Sequence, residues 1–317
     1  MPKIGIVYGM ESSFPAAVVD RINGKQIPGL LAESIRLGGV RIAEPSGYAV
    51  IIDRISHDVE FYRAYLKNAA LSGTVVIPNP FLWSADDKFF NYALASQLGI
   101  AVPRTAILPQ KEHPPGTSAQ SMRNLKFPLN WEEVFDYIGF PAFLKPLAGG
   151  AWRHNYEVAS QQEFFEAYDQ TGSTCMCLQQ AIQFEDCFRC YVVGQEKVCV
   201  MRYDPKRPHH LRYIQSEQPV TRDLHDRMVN DALTLCRTLG YDLNAVEFAV
   251  ENGVPYAIDV LDPSPDTDVH CVGDAHFEWI VENVAEMAIE KALAFAPERK
   301  PAAWRWDYFL HSKAVGS

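Results

Sequence analysis

The stretch that decides the fold is 245-AVEFAVENGVPYAIDVLD-262. Its two apolar runs flank an Asn-Gly pair, which is typical of a β-hairpin turn. Glu247 lies in the first run, Asp259 lies in the second, and Asp262 follows. Two carboxylates on neighbouring strands form a hard oxygen site suited to Mg²⁺, which proteins usually bind through one or two carboxylates plus nucleotide phosphates. The hairpin therefore predicts a metal site at Glu247 and Asp259, and Asp262 would add a third oxygen.

The register of this hairpin decides whether the two acids share a face. A two-residue turn at Asn252-Gly253 pairs Glu247 with Ile258, and strand alternation then turns Asp259 to the other face. A shared metal needs Asp259 opposite Glu247, hence a three-residue connection or a β-bulge. The apolar pattern favours that register, because it would gather one face from Val246, Phe248, Val250, Tyr256 and Ile258. Two exposed acids on an edge strand remain the alternative.

The N-terminal part alternates short apolar runs with helical patterns. It predicts strands at 3–8, 48–53 and 74–77, and helices at 14–21, 29–38 and 58–71. Strands separated by helices are typical of a parallel, doubly wound sheet. Residues 1–83 are therefore expected to form an α/β domain.

A change of pattern follows residue 84. A helix is predicted over 84–99, with Ser84 and Asp87 as a capping box and with Phe90, Leu94 and Leu98 facing a core. A surface loop rich in Pro, Gly and Ser spans 110–129. The later strands and helices do not alternate strictly, which favours an α+β sheet. The strands are expected at 141–146, 175–182, 189–193, 197–203, 245–250 and 255–261, and the helices at 131–138, 162–170, 221–239 and 276–295.

Several basic residues in this second part could hold phosphate. Lys145 ends the apolar run 142-AFLK-145, and Gly149-Gly150 follow shortly after it. A Lys beside a glycine-rich turn can contact phosphate oxygens together with bare backbone N–H groups. Lys88 follows two acids in a first helical turn, where a solvated helix face is the simpler interpretation.

The segment 178-LQQAIQFEDCFRCYVVG-194 has the form of a nucleotide-binding strand and loop. The backbone from Gln179 through Gln180 and Ala181 to Ile182 would border an adenine edge, and Glu185 would accept hydrogen bonds from ribose hydroxyls. Arg202, in 198-VCVMRY-203, would neutralise a transferring phosphoryl group.

Taken in order, these segments resemble the ATP-grasp superfamily, nearest to its glutathione synthetase-like and ribosomal-protein glutamate ligase-like members. The resemblance spans roughly residues 78–266. Its segments are NP…DDKFFNYALASQLGIAVPRTAIL, FPAFLKPLAGG, LQQAIQFEDCFRCYVVG, KVCVMRY and VEFAVENGVPYAIDVLDPSP.

The resemblance implies specific roles for the residues that match the family motifs. The lysines that contact the ATP phosphates match Lys88 and Lys145, beside a loop containing Gly149 and Gly150. The adenine hinge matches 179–182, and the ribose-binding acid matches Glu185. Arginines near the substrate or the γ-phosphate match Arg189 and Arg202, and the metal-binding acids match Glu247 and Asp259. Where the family has Glu-x-Asn, Leu261 stands at the third position, and Asp262 would replace the Asn only with a shifted register.

The family reaction implies the expected function. It joins a carboxylate to an amine or thiol through an acylphosphate, using ATP with Mg²⁺ or Mn²⁺, and releases ADP and phosphate. A small-molecule kinase and a non-catalytic nucleotide-binding module remain the alternatives, because fold and phosphate-binding groups would be shared. The resemblance places the ATP-grasp domain at 84–298, in subdomains of about 84–170 and 171–298, followed by a tail at 299–317.

Composition limits the partners and the setting. The chain has 317 residues and a net charge of −10, which disfavours a broad nucleic-acid-binding surface. It has no run of the roughly 18 apolar residues that cross a membrane. Its seven cysteines, an odd number without a signal-like leader, favour a reducing, cytoplasmic setting. Its expected oligomer is the common one, a homodimer.

Overall fold

A computed structural model describes residues 1–147, 155–208, 211–214 and 219–295 of the protein. The N-terminal part forms a four-stranded parallel sheet in the order β2-β1-β3-β4. Helices α1 (Phe14–Gly24) and α2 (Glu60–Leu71) pack on its opposite faces. The predicted doubly wound α/β unit is confirmed. The strands are β1 (Lys3–Tyr8), β2 (Leu31–Ser34), β3 (Val50–Arg54) and β4 (Val75–Ile77).

The helix predicted over 29–38 is wrong, because this segment supplies the edge strand β2. Its backbone pairs in parallel with β1 from Leu31 to Ser34, and the Ile35 amide continues the ladder to the Ile6 carbonyl. Only Ala32 of the four strand residues is buried. The spacing of apolar residues in so short a segment is compatible with a helix or with a strand. Hydrogen bonding to β1 selects the strand.

The helix predicted over 84–99 begins later than expected. Ser84 ends the short helix α3 (Pro80–Trp83), and the Asp87 carboxylate caps α4 (Lys88–Gln97) by accepting from the Phe90 amide at 2.8 Å. Lys88 is therefore the first residue of a helix, held close to its N-terminal turn.

The buried face of α4 also differs from the prediction. Asn91, Tyr92 and Ala95 are buried, whereas Phe90 and Leu98 are 50% and 38% exposed. The buried stripe is rotated because α4 packs by Tyr92 and Ala95 against the core that it shares with the C-terminal sheet.

Two antiparallel sheets of four strands follow, which confirms the α+β part of the prediction. One has the order β5-β8-β6-β7 and the other β10-β9-β11-β12. The strands are β5 (Thr105–Leu108), β6 (Ala142–Pro146), β7 (Tyr156–Val158), β8 (Met176–Gln180), β9 (Asp186–Val193), β10 (Lys197–Arg202), β11 (Leu243–Glu251) and β12 (Val254–Asp259). The helices are α5 (Trp131–Ile138), α6 (Gln161–Tyr168), α7 (Arg222–Leu239), α8 (Val269–Val272) and α9 (Asp274–Leu293).

Each antiparallel sheet has its own apolar packing. Helices α5 and α6 cover one face of the β5-β8-β6-β7 sheet. In the other sheet, α4 and α7 cover one face, and α9 covers part of the opposite face and also packs on the parallel sheet. Strand β8 completes the first of these sheets, so that sheet extends to Gln180, past the subdomain division predicted near residue 170. Within the described residues, no helix combines the length and hydropathy needed to cross a membrane.

Candidate active site

The two acids of the hairpin lie opposite one another. Asn252 and Gly253 both have positive φ, as a tight two-residue turn requires, and Glu251 pairs with Val254. A β-bulge then inserts one residue into β12, so that Phe248 pairs with Ala257 but Glu247 pairs with Asp259. The register that a shared metal needs is therefore present, and the bulge produces it.

The apolar neighbours predicted for this register are wrong. Phe248 and Val250 lie opposite Ala257 and Pro255, which are buried, and not beside Tyr256 and Ile258. The bulge lies between Glu247 and Phe248, so the hairpin keeps its two-residue-turn register on the apolar side and changes it only at the acids.

Glu247 is a buried carboxyl in the middle of the sheet. It is 8% exposed and stands between Arg189 on β9 and Asp259 on β12. Burial raises its pKa above the usual range, the Arg189 guanidinium opposes this shift, and the charge of Asp259 reinforces it. A buried carboxyl next to a second carboxyl is stabilised in its charged form by a cation.

Arg189 is enclosed by acids and tyrosines. Its guanidinium forms an ion pair with Asp262 and lies 3.5 Å from a Glu247 oxygen. Its Nη1 donates to the Tyr213 hydroxyl at 2.8 Å, and the Tyr203 ring stacks against it. Tyr203 and Tyr213 were not anticipated from the sequence, where no spacing links them to Arg189.

Lys88 reaches the acid pair from the start of α4. Its Nζ lies 3.5 Å from an Asp259 oxygen, and its side chain is 21% exposed. The negative charge of Asp259 raises the pKa of Lys88 despite its partial burial. The first turn of α4 is held in place by Asp86, which accepts from the Tyr241 hydroxyl and from the Asp87 amide. Lys88 thus places a positive charge beside Asp259 and Glu247, the two acids predicted to bind the metal.

Lys145 approaches the same acids from the other antiparallel sheet. Strand alternation buries Leu144 under α5 and α6 and turns Lys145 to the opposite face. Its Nζ donates to the Gln179 side-chain oxygen at 2.6 Å, and Gln179 in turn donates to Thr105 at 3.1 Å. Burial lowers the pKa of Lys145 to about 8, while the charge of Asp259 opposes that shift.

The structure thus brings together Lys88, Lys145, Glu247 and Asp259, which are distant in sequence. The charge of Asp259 acts on both lysines, and the charge of Lys145 acts on Glu247. Two opposed carboxylates supply hard oxygens for Mg²⁺, and two ammonium groups supply charge for phosphates. This donor set fits a magnesium-bound triphosphate.

Asp262 is placed differently from the two other acids. One of its carboxylate oxygens pairs with Arg189 and the other accepts from the Ser264 amide at 3.1 Å. Among the described residues, no cluster of three or more His, Cys, Asp or Glu side chains is arranged to hold a metal ion. Asp262 pairs with Arg189 in this structure, and its role as a third metal ligand stays a prediction.

Solved structures with this architecture show what the fold is. No protein-family model and no curated protein matches the sequence. A D-alanine–D-alanine ligase from Bacillus anthracis complexed with ATP matches at a TM-score of 0.65 and 16% identity, over 92% of this chain and 97% of that one. The ATP-grasp ligase PsnB, complexed with a minimal precursor, Mg and ADP, matches at 0.61 and 15%, over 91% and 97%. This chain has the ATP-grasp fold.

A third ATP-grasp structure agrees with this assignment. A RimK domain protein from Sphaerobacter thermophilus matches at a TM-score of 0.65 and 15% identity, over 90% of this chain and 98% of that one. The resemblance inferred from the sequence is confirmed for the fold. At this identity, the likeness assigns no activity or residue role.

Residues 179–182, predicted to form the adenine hinge, span the end of β8 and lead towards β9 in the other antiparallel sheet. Gln180 and Ala181 donate their backbone amides to Arg104 and Pro141. Ala181 and Ile182 are each 8% exposed, so the hinge is held against the first sheet. Glu185 lies beyond it, exposed, with its amide donating to Val250. The hinge therefore leads from Gln179, the partner of Lys145, towards the acid hairpin; its adenine and ribose roles stay predictions.

Arg202 lies apart from the acid pair. On β10 it stands opposite Phe188, whereas Met201 stands opposite Arg189, so alternation puts Arg202 on the other face of the sheet. There it pairs with Asp186 and its guanidinium lies 5.1 Å from the Phe188 ring centre. The catalytic role of Arg202 remains a prediction that this placement does not support. The glycines at 149 and 150 and the tail at 299–317 lie outside the described residues.

Proposed function

We propose that this protein is an ATP-dependent ligase that joins a carboxylate to an amine or thiol and releases ADP and phosphate. The support is the ATP-grasp fold together with the donor set of the site. The similar structures include a D-alanine–D-alanine ligase complexed with ATP and a peptide-precursor ligase complexed with Mg and ADP. The first of these names describes the joining of two amino acids, a carboxylate to an amine, and the proposal extends that substrate class to this protein.

In this proposal the cleft residues divide between the metal and the nucleotide. Glu247 and Asp259 hold Mg²⁺ or Mn²⁺, and Lys88 and Lys145 contact the phosphates. The hinge 179–182 borders the adenine, and Glu185 holds the ribose. The divalent ion neutralises phosphate charge and polarises the phosphoryl oxygens.

The proposed reaction has two steps. A carboxylate oxygen of the substrate bonds to the γ-phosphorus, the bond to the β,γ-bridging oxygen breaks, and ADP leaves an acylphosphate. The amine nitrogen or thiol sulfur then bonds to the acyl carbon, the acyl C–O bond breaks, and phosphate leaves while the acceptor loses its proton. Lys145 donates a hydrogen bond to charge that builds on the phosphoryl oxygens, and its partner Gln179 keeps the ammonium aimed at them.

One observation carries the proposal. Asp259 interacts at the same time with its cross-strand partner Glu247, with Lys88 from α4 and with Lys145 from the other sheet. Glu247 is buried and the other three side chains are partly buried, and holding four charges together away from bulk water has no packing advantage over apolar residues. Such a group is expected where a charged ligand enters.

The test is a screen for ADP release over pairs of carboxylates with amines or thiols, with the Glu247→Ala variant as the blank. The proposal expects ADP and free phosphate only when both substrates are present. ADP formed with a hydroxylated substrate alone, with the phosphate retained on the product, would identify a kinase. Tight ATP binding without turnover across a broad panel would identify a nucleotide-binding module.

A further inference from the structure

Asn244 is a buried amide three residues before Glu247. It lies on β11 with 0% exposure and faces the core side of the sheet, opposite to the side of Glu247. Its Nδ2 donates to the Val260 carbonyl at 2.8 Å, and its Oδ1 accepts from the Asp262 amide at 2.9 Å. Both ends of one side chain thus hold the segment that follows β12.

The position of these bonds matters because the strand ladder stops there. The last pair of β11 and β12 is Glu247 with Asp259, and the chain leaves the sheet after it. Had the ladder continued in register, Asn244 would lie opposite Asp262. The Asn244 side chain therefore takes over the hydrogen bonds that a further strand pair would have made, and a buried amide and carbonyl there would otherwise lack partners.

The held segment ends at the residue that pairs with Arg189. Asp262 has its amide fixed by Asn244 and its carboxylate on the Arg189 guanidinium. Arg189 is also 3.5 Å from Glu247. Arg189 is thus shared by Asp262, Glu247 and Asp266, whose carboxylate lies 3.6 Å away, and of these acids Glu247 is the one that lies opposite Asp259.

We infer that Asn244 is a positioning residue for the metal site and that it acts through Asp262 and Arg189. By fixing the Asp262 backbone, Asn244 keeps the Asp262 carboxylate on Arg189. Nη1 then donates to Tyr213 and Nη2 pairs with Asp262, while Nε makes no hydrogen bond among the described residues and stays 3.5 Å from Glu247, which keeps its oxygens for a divalent cation shared with Asp259. This inference rests on the proposed function, because it assumes that the acid pair binds the metal of an ATP complex.

The physical consequence is a competition that can be measured. Without the Asn244 bonds, Asp262 moves away from Arg189, and Arg189 closes on Glu247. A Glu247 oxygen that pairs with the Arg189 guanidinium is less available to coordinate a metal ion, so the affinity for the metal falls. Loss of a residue that orients metal ligands typically weakens binding by about 10- to 100-fold. Nucleotide contacts outside the metal do not depend on this segment and stay as in the wild type.

The experiment measures the affinity for AMPPNP, a nonhydrolysable ATP analogue, by calorimetry with excess Mg²⁺ and again in EDTA. The ratio of the two affinities reports metal binding separately from nucleotide contacts. The variants are Asn244→Ala and Asp262→Asn, alone and together. Asp262→Asn changes a partly exposed side chain and keeps its shape, so it tests the same route if Asn244→Ala fails to fold.

Asn23→Ala is the matched control. The Asn23 side chain also holds backbone groups at both ends, the amide and carbonyl of Ala32, each at 2.9 Å. It lies at the C-terminal end of α1 and holds the edge strand β2 of the N-terminal sheet. Its loss should lower stability without changing the Mg²⁺-dependent ratio.

The expected result is a Mg²⁺-dependent ratio about 10-fold or more below wild type in Asn244→Ala and in Asp262→Asn, with little change in EDTA. In the double variant the Mg²⁺-dependent ratio should fall no further than in the more strongly affected single variant, because both substitutions act through Arg189. A wild-type ratio in both single variants would overturn the inference while leaving the proposed function intact. No AMPPNP binding by the wild-type protein would overturn the proposed function and this inference with it.

Discussion

Glu247 and Asp259 face each other across β11 and β12 because the chain contains one more residue between them than the Asn252-Gly253 turn requires. The bulge that takes up this residue turns Asp259 to the face of Glu247. The Ile258 carbonyl next to it accepts from the Tyr92 hydroxyl of α4 at 2.6 Å. The same irregularity therefore sets the acid pair and anchors the helix that begins with Lys88.

Removing either acid should remove the metal site. Glu247→Gln and Asp259→Asn keep the shape of each side chain but take away one negative charge. We expect the Mg²⁺-dependent part of AMPPNP affinity to fall by more than the roughly 10- to 100-fold typical of residues that only orient ligands. Calorimetric titration with and without Mg²⁺ measures the effect.

The control for the acid pair is Glu196→Gln, an exposed acid in the turn between β9 and β10. It should bind Mg²⁺–AMPPNP as the wild type does. Equal affinities in the wild type and in Asp259→Asn would show that Asp259 is not a metal ligand.

Nucleotide affinity should depend on pH through Lys145. Because burial lowers the pKa of Lys145 to about 8, the ligand-free protein loses this positive charge as the pH rises through that value. A bound triphosphate favours the protonated ammonium, so binding should weaken above pH 8 and take up protons there. Calorimetry in two buffers of different ionisation enthalpy counts those protons.

Lys145→Met should bind AMPPNP weakly at every pH and should lose the change near pH 8. Lys111→Met is its control, because Lys111 pairs with Asp169 on the surface of the same subdomain. If the AMPPNP affinity of Lys145→Met still changed near pH 8, the titrating group would be a residue other than Lys145.

Arg189 should be the main electrostatic support of the C-terminal sheet. Its side chain is 7% exposed, and Arg189→Met removes the cation that pairs with Asp262 and lies 3.5 Å from Glu247. Removing one partner of a buried ion pair typically costs about 3–5 kcal/mol. Urea unfolding of the variant should show this loss in the free energy of unfolding.

Mg²⁺–AMPPNP should stabilise Arg189→Met more than it stabilises the wild type, because the cation replaces part of the missing positive charge. Arg237→Met is the comparison, since Arg237 is exposed and donates to the Gln195 carbonyl. An Arg189→Met protein as stable as the wild type would contradict the buried-pair account.

Asp268 should stabilise the junction between the N-terminal domain and the loop after β12. It is 8% exposed, and its carboxylate accepts from the backbone amides of Ser12, Ser13 and Phe14 at the start of α1. Burial acts to raise its pKa, but these hydrogen bonds hold it well below the usual range. Hydrogen bonds to a charged group contribute about 1.5–3 kcal/mol, so Asp268→Asn should lower the free energy of unfolding by about that amount at neutral pH.

The sign of the pH effect follows from the lowered pKa of Asp268. Its contribution is complete above the unfolded-state pKa of about 3.9 and is lost as the pH falls further. Denaturant unfolding of wild type and Asp268→Asn should therefore converge in acid. Asp274→Asn, which removes an exposed acid from the first turn of α9, should cost less, about 0.3–1 kcal/mol. A difference in the free energy of unfolding that stays constant into acid would show that the charge of Asp268 does not cause the stabilisation.

The local sequence was sufficient for most elements. Strong periodicity located α5, α7 and α9, and alternating apolar runs located the strands that carry Lys145, Glu247 and Asp259. Errors arose where a segment was short or irregular. Residues 31–34 became a strand because β1 offered an unpaired edge, and α4 began at Lys88 because α3 occupied the residues before it.

The sequence by itself determined the chemical types of the site residues and the order in which the chain supplies them, since both are properties of the covalent chain. Only the tertiary structure decided which of them meet. The bulge joined Asp259 to Glu247, the sheet register separated Arg202 from Arg189, and the Asn244 bonds directed Asp262 to Arg189. These outcomes depend on pairing between strands and on burial, which no local pattern encodes, because a single inserted residue reverses the face of a side chain.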